Sequence, residues 1–274
     1  MKILVTGAAG RLGRASRRPL LQAGHQLRIA DLPASALEPV EGEVVLSGNL
    51  CEPSVMDQAL EGIEVVVHWA ASLNVPDFNL VLENNHRMLC ELYEGARRHA
   101  VRRIVYASSN HAFGLYEPGT RLRLDAPYRA DTFYGLSKVW GEELGRMYWT
   151  KHGIETVALR IGTFMNLPPR NVRELSSWLG LEDLEQLVQL AVEVPGVTFA
   201  PVWGISANTR AHYDLTEANV IGYVPRQDAE VFASGLAAEP STAPGDIASR
   251  YQGGRFVTQS WTPEEQRPRR PGPA

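Results

Sequence analysis

Lysine is the residue this chain uses least for its charge. Of 27 basic residues only three, Lys2, Lys138 and Lys151, are lysine, and the rest are arginine. A lysine retained inside a motif therefore points to a need for its compact ammonium, which a guanidinium does not imitate. Cysteine is nearly absent: Cys51 and Cys90 are the only two among 274 residues. Two cysteines build neither a disulfide framework nor a four-thiolate zinc site, and reduced thiols are expected. No uninterrupted apolar run is long enough to span a bilayer. Met1-Lys2-Ile3-Leu4-Val5 leads directly into an apolar strand pattern, so no secretory signal is expected and the cytoplasm is the expected location. The formal net charge is −4 and no basic run interrupts the body of the chain, which removes the electrostatic basis for nucleic-acid binding. His25, His86, His99, His152 and His212 fall into no metal-ligand spacing, and no metal is expected.

What is present alternates. Apolar strand patterns at Lys2–Thr6, Gln26–Ala30, Val44–Leu46, Val65–Trp69, Arg103–Ala107 and Thr156–Ile161 are separated by helical patterns. The helices are expected at Leu12–Ala23, Ser54–Leu60, Asn79–His99 and Tyr134–His152, with a kink at Pro19. This rhythm predicts an α/β fold of Rossmann type: a doubly wound parallel sheet covered by helices on both faces, with ligands at the carboxyl ends of its strands. After residue 162 the rhythm breaks. Helical patterns at Val172–Leu179, Glu182–Val194 and Asp228–Ala237, with a strand at Thr198–Val202, lack an apolar core of their own. They are expected to form a small cap, about 163–261, on a single domain spanning 1–261. Pro263, Pro268, Pro271 and Pro273 mark 262–274 as a disordered tail.

Thr6-Gly7-Ala8-Ala9-Gly10-Arg11-Leu12-Gly13 follows a strand and opens a helix. Glycine there permits a left-handed turn, close approach of backbone N–H groups to a pyrophosphate, and tight helix–strand packing. Asp31 closes the second strand; a carboxylate at that point bonds a ribose diol and repels a 2′-phosphate, which favours NAD over NADP. Tyr134-Gly135-Leu136-Ser137-Lys138 puts a phenol and an ammonium at i and i+4 on one helix face. A cation beside a phenol lowers its pKa and makes it a proton acceptor near neutral pH. Ser108 and Ser109 follow the fifth strand and so reach the same edge of the sheet.

The order of the glycine turn, Asp31, His68-Trp69-Ala70-Ala71, Ser108-Ser109 and Tyr134-x-x-x-Lys138 resembles the extended short-chain dehydrogenase/reductase superfamily. Longer strings narrow the likeness. Ala107-Ser108-Ser109-Asn110-His111, Arg160-Ile161-Gly162, Arg173-Glu174-Leu175-Ser176-Ser177-Trp178, Val202-Trp203-Gly204-Ile205-Ser206-Ala207-Asn208 and Tyr251-Gln252-Gly253-Gly254-Arg255-Phe256 are similar to bacterial NAD-dependent uronate dehydrogenases. The resemblance implies oxidation of the anomeric carbon of D-glucuronate or D-galacturonate to an aldarolactone. It implies NAD as cofactor, held by Gly7, Gly10, Arg11, Leu12, Gly13, Asp31, Asn49, Leu50, Ala70, Tyr134 and Lys138. It makes Tyr134 the base, with Lys138 holding the cofactor ribose and lowering the phenol pKa, and Ser109 bonding the reacting oxygen. Asn110 and His111 would meet sugar hydroxyls, Ser72 and Thr163 would add contacts, and Arg173 would pair with the C6 carboxylate. Asn49 and Leu73 depart from the family pattern, where aspartate and serine are usual. A homo-oligomer and a small-molecule uronate are the expected partners, with no nucleic acid and no membrane. A sugar or nucleotide-sugar epimerase or dehydratase of the same superfamily is the alternative, and a non-catalytic dinucleotide sensor a third. His68 is expected in the core.

Overall fold

The computed structural model describes residues 1–73, 77–216, 220–236, 246–259 and 261–263. Seven strands form one sheet: β1 (Lys2–Thr6), β2 (Gln26–Asp31), β3 (Glu43–Ser47), β4 (Val65–His68), β5 (Arg103–Ser109), β6 (Glu155–Ile161) and β7 (Phe199–Gly204). Their spatial order is β3-β2-β1-β4-β5-β6-β7, and every pairing is parallel. The chain runs outward in one direction from β1 and in the other from β4, so the crevice between these two strands lies at the switch point where such sheets bind ligands.

Period-two alternation sorts the strand side chains onto two covered faces. Ile3, Val5, Val65, Val67, Val105, Val157 and Leu159 point to one face, where α1 (Arg11–Gln22) and α7 (Leu181–Glu193) pack through Leu20, Leu184, Leu187 and Val188. Leu4, Val66, Ile104, Tyr106 and Ala158 point to the other, against α2 (Pro53–Leu60), α4 (Met88–Arg98) and α5 (Phe133–His152). All seven residues of β5 are buried, as a central parallel strand requires. At roughly 1.5–3 kcal/mol for each large apolar side chain removed from water, these two layers supply the main driving force for folding.

Several expectations need correction. α1 spans Arg11–Gln22, one residue earlier at each end than expected, with Pro19 inside it and Ala23 N–H bonded to Pro19 O. The long helix expected over Asn79–His99 is α3 (Phe78–Val81), a π-wound stretch over Leu82–Arg87, and α4. Of the helix expected over Val172–Leu179 only α6 (Glu174–Ser177) forms, because Trp178 turns extended and Thr163 pairs with it as an isolated bridge. The segment expected as a helix at Asp228–Ala237 is a 3-10 turn over Ala229–Gly235, capped by Asp228 Oδ1 accepting from Glu230 N–H at 2.9 Å. The cap is also narrower than 163–261. α7 covers the sheet beside α1, and β7 extends the sheet from β6 in register. Buried Arg103 ties α7 to the sheet by donating to the carbonyls of Ala191, Val192 and Val194 at the helix end. The tail expected over 262–274 falls, from residue 264 onward, outside the described residues.

Candidate active site

One cleft of about 1820 Å3 crosses the carboxyl ends of the strands, and every residue assigned above to cofactor or substrate lines it. Its two ends are built differently.

The dinucleotide end is made of backbone. Gly7 adopts φ +63, and a Cβ there would stand 2.7 Å from Ala70 N at the end of β4. At Gly13 a side chain would overlap the Gly7 carbonyl and Ala8. Gly7 lets the β1–α1 turn lie against the segment that follows β4, and Gly13 lets the start of α1 pack on the turn. Gly10 is the N-cap of α1 but offers no side-chain cap, and no acidic residue occupies the first turn. The opening N–H groups of such a helix lack intrahelical partners and carry the positive end of its dipole, which suits a phosphate. The missing cap, the cradle that a Cβ at Gly7 would fill, and the size of the cleft all fit a dinucleotide. Asp31 braces the turn: its carboxylate accepts from Ala9 N–H at 2.9 Å, Leu32 N–H at 2.8 Å and Ser35 Oγ–H at 2.8 Å. Asn49 Oδ1 accepts from Cys51 N–H at 3.0 Å and so shapes the loop before α2, where Leu50 is buried. Arg11 crosses the mouth of the cleft and donates to the Met165 sulfur on the loop after β6.

The other end is made of side chains from distant segments. Ser109 ends β5; α5 starts beside it because Thr132 caps the helix, accepting from Gly135 N–H at 3.0 Å. Tyr134 and Lys138 are both buried on the inward face of α5. Lys138 Nζ lies over the rings of Tyr134 and Tyr106, at 5.3 and 5.0 Å from their centroids. Burial pushes the Tyr134 phenol up to about 12; a hydrogen bond with Ser109 opposes this shift and the Asp131 charge adds to it. Burial also lowers Lys138 to about 7. Burial of both groups works against the depression of the phenol pKa that the spacing predicts.

Beneath this pair lies a buried ion pair that sequence reasoning missed. Glu142, one turn after Lys138, accepts from Arg160 Nη2 at 2.8 Å, Ser108 Oγ at 2.5 Å and Tyr128 Oη at 2.9 Å. Arg160 also donates to Leu124 O at 2.8 Å and faces the Phe113 ring at 4.5 Å. The network locks α5 to β5 and β6 directly behind Ser109. The signal was available: Tyr134, Lys138 and Glu142 recur every four residues, and an acid on a buried helix face requires a partner. Asn85 was missed as well. It lies in the π-wound stretch, accepts from Ser72 N–H at 2.7 Å and donates to Ser137 Oγ at 3.1 Å, which joins the Ser72 loop to the face of Tyr134.

The remaining residues converge on the cleft. Asn110 Nδ2 donates to Tyr213 Oη at 3.3 Å. Thr163 Oγ1 lies 2.9 Å from Ser177 Oγ. Arg173 donates from Nε and Nη2 to Gln252 O at 3.0 and 2.6 Å, which aims the guanidinium with a neutral carbonyl and leaves its charge uncompensated by that contact. His111 stacks on Phe256 with ring centroids 4.0 Å apart, and Phe256 lies 6.4 Å from the Tyr134 ring. The contact of Phe256 with residue 111 is long-range, and no local sequence pattern connects the two. Leu73 is half exposed at the rim. Of the other residues weighed, His68 is buried in the core as expected, its Nδ1 2.8 Å from Thr6 Oγ1. Among the described residues no cluster of three or more His, Cys, Asp or Glu could hold a metal, and no helix is long and apolar enough to cross a membrane.

A dinucleotide cradle opening into a Ser–Tyr–Lys site on a parallel sheet defines a nicotinamide-dependent enzyme that works on a carbinol. The sequence pattern of the NAD dependent epimerase/dehydratase family matches residues 3–169, and the chain belongs to that family. It is 37% identical over 259 residues to the uronate dehydrogenase of Pseudomonas putida, covering 93% of this chain and 95% of that one. The uronate dehydrogenase of Agrobacterium fabrum is 38% identical over 257 residues, covering 93% of this chain and 96% of the other. Among solved structures, a mutant of Agrobacterium tumefaciens uronate dehydrogenase complexed with NAD superposes with a TM-score of 0.87 at 37% identity, covering 94% of this chain and 97% of that one.

Proposed function

We propose that this protein is an NAD-dependent uronate dehydrogenase, which oxidises the anomeric carbon of a hexuronic acid, D-glucuronate or D-galacturonate, to the aldarolactone. One observation carries the reading: the uncapped helix at Gly10, the Ser109–Tyr134–Lys138 set and the Arg173 guanidinium share a single cleft. When bound, NAD accepts the hydride of the anomeric carbon.

The chain's own residues do the rest. The N–H groups of Arg11 and Leu12, with Gly7, Gly10 and Gly13, hold the pyrophosphate, while Asp31 bonds the adenosine ribose and disfavours a 2′-phosphate. Asn49, Leu50 and Ala70 border the rest of the dinucleotide. Arg173 grips the C6 carboxylate through its planar fork. Asn110 and His111 hold sugar hydroxyls, with Ser72 and Thr163 at the edges. Ser109 hydrogen-bonds the anomeric oxygen and Tyr134 takes its proton. Lys138 holds the nicotinamide ribose. Its ammonium beside the phenol favours the phenolate form in which Tyr134 accepts that proton. Oxidation of the ring form gives the lactone directly.

A homo-oligomer belongs to the same reading. Phe78 and Phe133 are about half exposed with ring centroids 5.0 Å apart, and Leu82, Leu136 and Met147 extend the apolar face along the long helices; light scattering of the purified chain checks it. A cytoplasmic location is part of the proposal too, in keeping with two free thiols and a diffusible dinucleotide.

The test is NADH formation at 340 nm with glucuronate, galacturonate and the matching neutral sugars, using NAD and NADP in parallel. Reduction of NAD by the uronates alone is expected. Turnover only of neutral sugars, or an epimerised product with no net NADH, would overturn the proposal.

A further inference from the structure

We propose that Asp131 is a positioning residue of the substrate site: it sets the tautomer and tilt of His111 and joins that ring to the helix carrying Tyr134. The proposal rests on the reading above and extends it to a residue outside the Ser–Tyr–Lys set.

The Asp131 side chain is fully buried, with 0 % exposure. A buried carboxylate is costly unless it is fully engaged. Here Oδ2 lies 2.6 Å from His111 Nδ1, and Oδ1 accepts from Thr132 Oγ1–H at 2.9 Å. Thr132 is the cap of α5, so a single carboxylate spans His111 and the helix start two residues before Tyr134. The carboxylate has no room to move. A side chain at Gly114 or at Gly253 would collide with it, and a Cβ at Gly135 would lie 3.0 Å from Oδ1. These glycines come from three separate segments, and Gly253 N–H donates to Gly114 O at 2.8 Å to hold two of them together.

The chemistry follows from the hydrogen-bond inventory of imidazole. A carboxylate facing Nδ1 requires the proton on Nδ1, which leaves Nε2 an acceptor. Among the described residues no protein group bonds Nε2, and the ring lines the substrate end of the cleft. Phe256 covers one ring face at 4.0 Å and an interplanar angle of 24°, which fixes the plane of the ring, and the Asp131 contact fixes which edge faces the carboxylate. His111 is thus presented as an acceptor for one sugar hydroxyl, 6.0 Å from the Tyr134 ring by centroids. With the opposite tautomer, Nε2–H would offer a donor, and Asp131 would lose its partner.

Two measurements test this. Asp131→Asn keeps the shape and removes the charge. The uronate KM should rise about tenfold, the upper worth of one net hydrogen bond, with the NAD KM within about twofold. In a His111→Gln background the same change should add less than about threefold, because coupled partners are not additive. An unchanged uronate KM, or a full additional tenfold loss in that background, overturns the proposal. Should Asp131→Asn fail to fold, long-range 1H–15N spectra of the wild-type protein decide. His111 is assigned as the pattern among seven histidines that the His111→Gln protein lacks. The Nδ1–H tautomer is expected, and the Nε2–H tautomer contradicts the proposal. Wild-type protein that turns over no uronate would defeat the functional reading while leaving the tautomer result intact, so the two failures are distinguishable.

Discussion

The two ends of the cleft are stabilised by different parts of the chain. At the dinucleotide end the working groups are backbone N–H groups on one contiguous turn, Gly7–Gly13, braced by Asp31 from the neighbouring strand. At the proposed sugar end they are side chains drawn from five separate stretches, and three of them are held by partners from elsewhere in the chain: Arg173 by Gln252, His111 by Asp131, Asn110 by Tyr213. A backbone cradle depends on conformation and tolerates changes in side-chain chemistry. A side-chain site depends on each supporting partner, and under the proposed function it is where substrate choice is made.

Substitutions can break this contrast at graded strength. Tyr134→Phe removes the proposed proton acceptor without removing the ring, and turnover should fall by about 10²–10⁴ while dinucleotide affinity persists; steady-state rates and NADH titration read both. Arg173→Met should raise the uronate KM by roughly ten- to a hundredfold, the worth of one hydrogen bond to a charged group, and leave the NAD KM alone. Gly7→Ala should do the reverse. Its Cβ would stand 2.7 Å from Ala70 N at φ +63, so a loss of about 1–3 kcal/mol in stability and a raised NAD KM are expected, with uronate recognition spared.

A further effect, read on stability and not on turnover, is one of pH. Burial, then the charge of Lys138, holds His68 down to about 3 from 6.5. The unfolded chain binds that proton more readily, so stability is fully present above 6.5 and falls as pH drops towards 3, by roughly 1.4 kcal/mol for each unit crossed. Thermal melts across that range should show the slope in the parent protein and a shallower one in His68→Gln.

How much could be read in advance follows the same division. The glycine turn, the strand–helix alternation up to residue 161 and the Tyr134–Lys138 pair are local patterns, and each is found where expected. The strand Thr198–Val202 and the helix Glu182–Val194 were also visible, but their membership in the sheet layers was not. Pairing of β7 with β6 is a long-range choice that a short apolar run does not encode. The π-wound stretch at Asn85 escaped because its residues read as ordinary helix. Asp131 and Phe256 escaped because their partner, His111, is remote in sequence. The burial that opposes a low phenol pKa escaped for a physical reason: spacing shows which charge is near Tyr134, whereas the size of the desolvation depends on the finished fold.

The most direct trial of the account follows one hydrogen atom. Uronate deuterated at carbon one is incubated with the protein and NAD, and the reduced dinucleotide is isolated and weighed by mass spectrometry. The account predicts one deuterium in the NADH and a slowed turnover with the labelled sugar. Unlabelled NADH, or NADH labelled only from a sugar deuterated at another carbon, would contradict it.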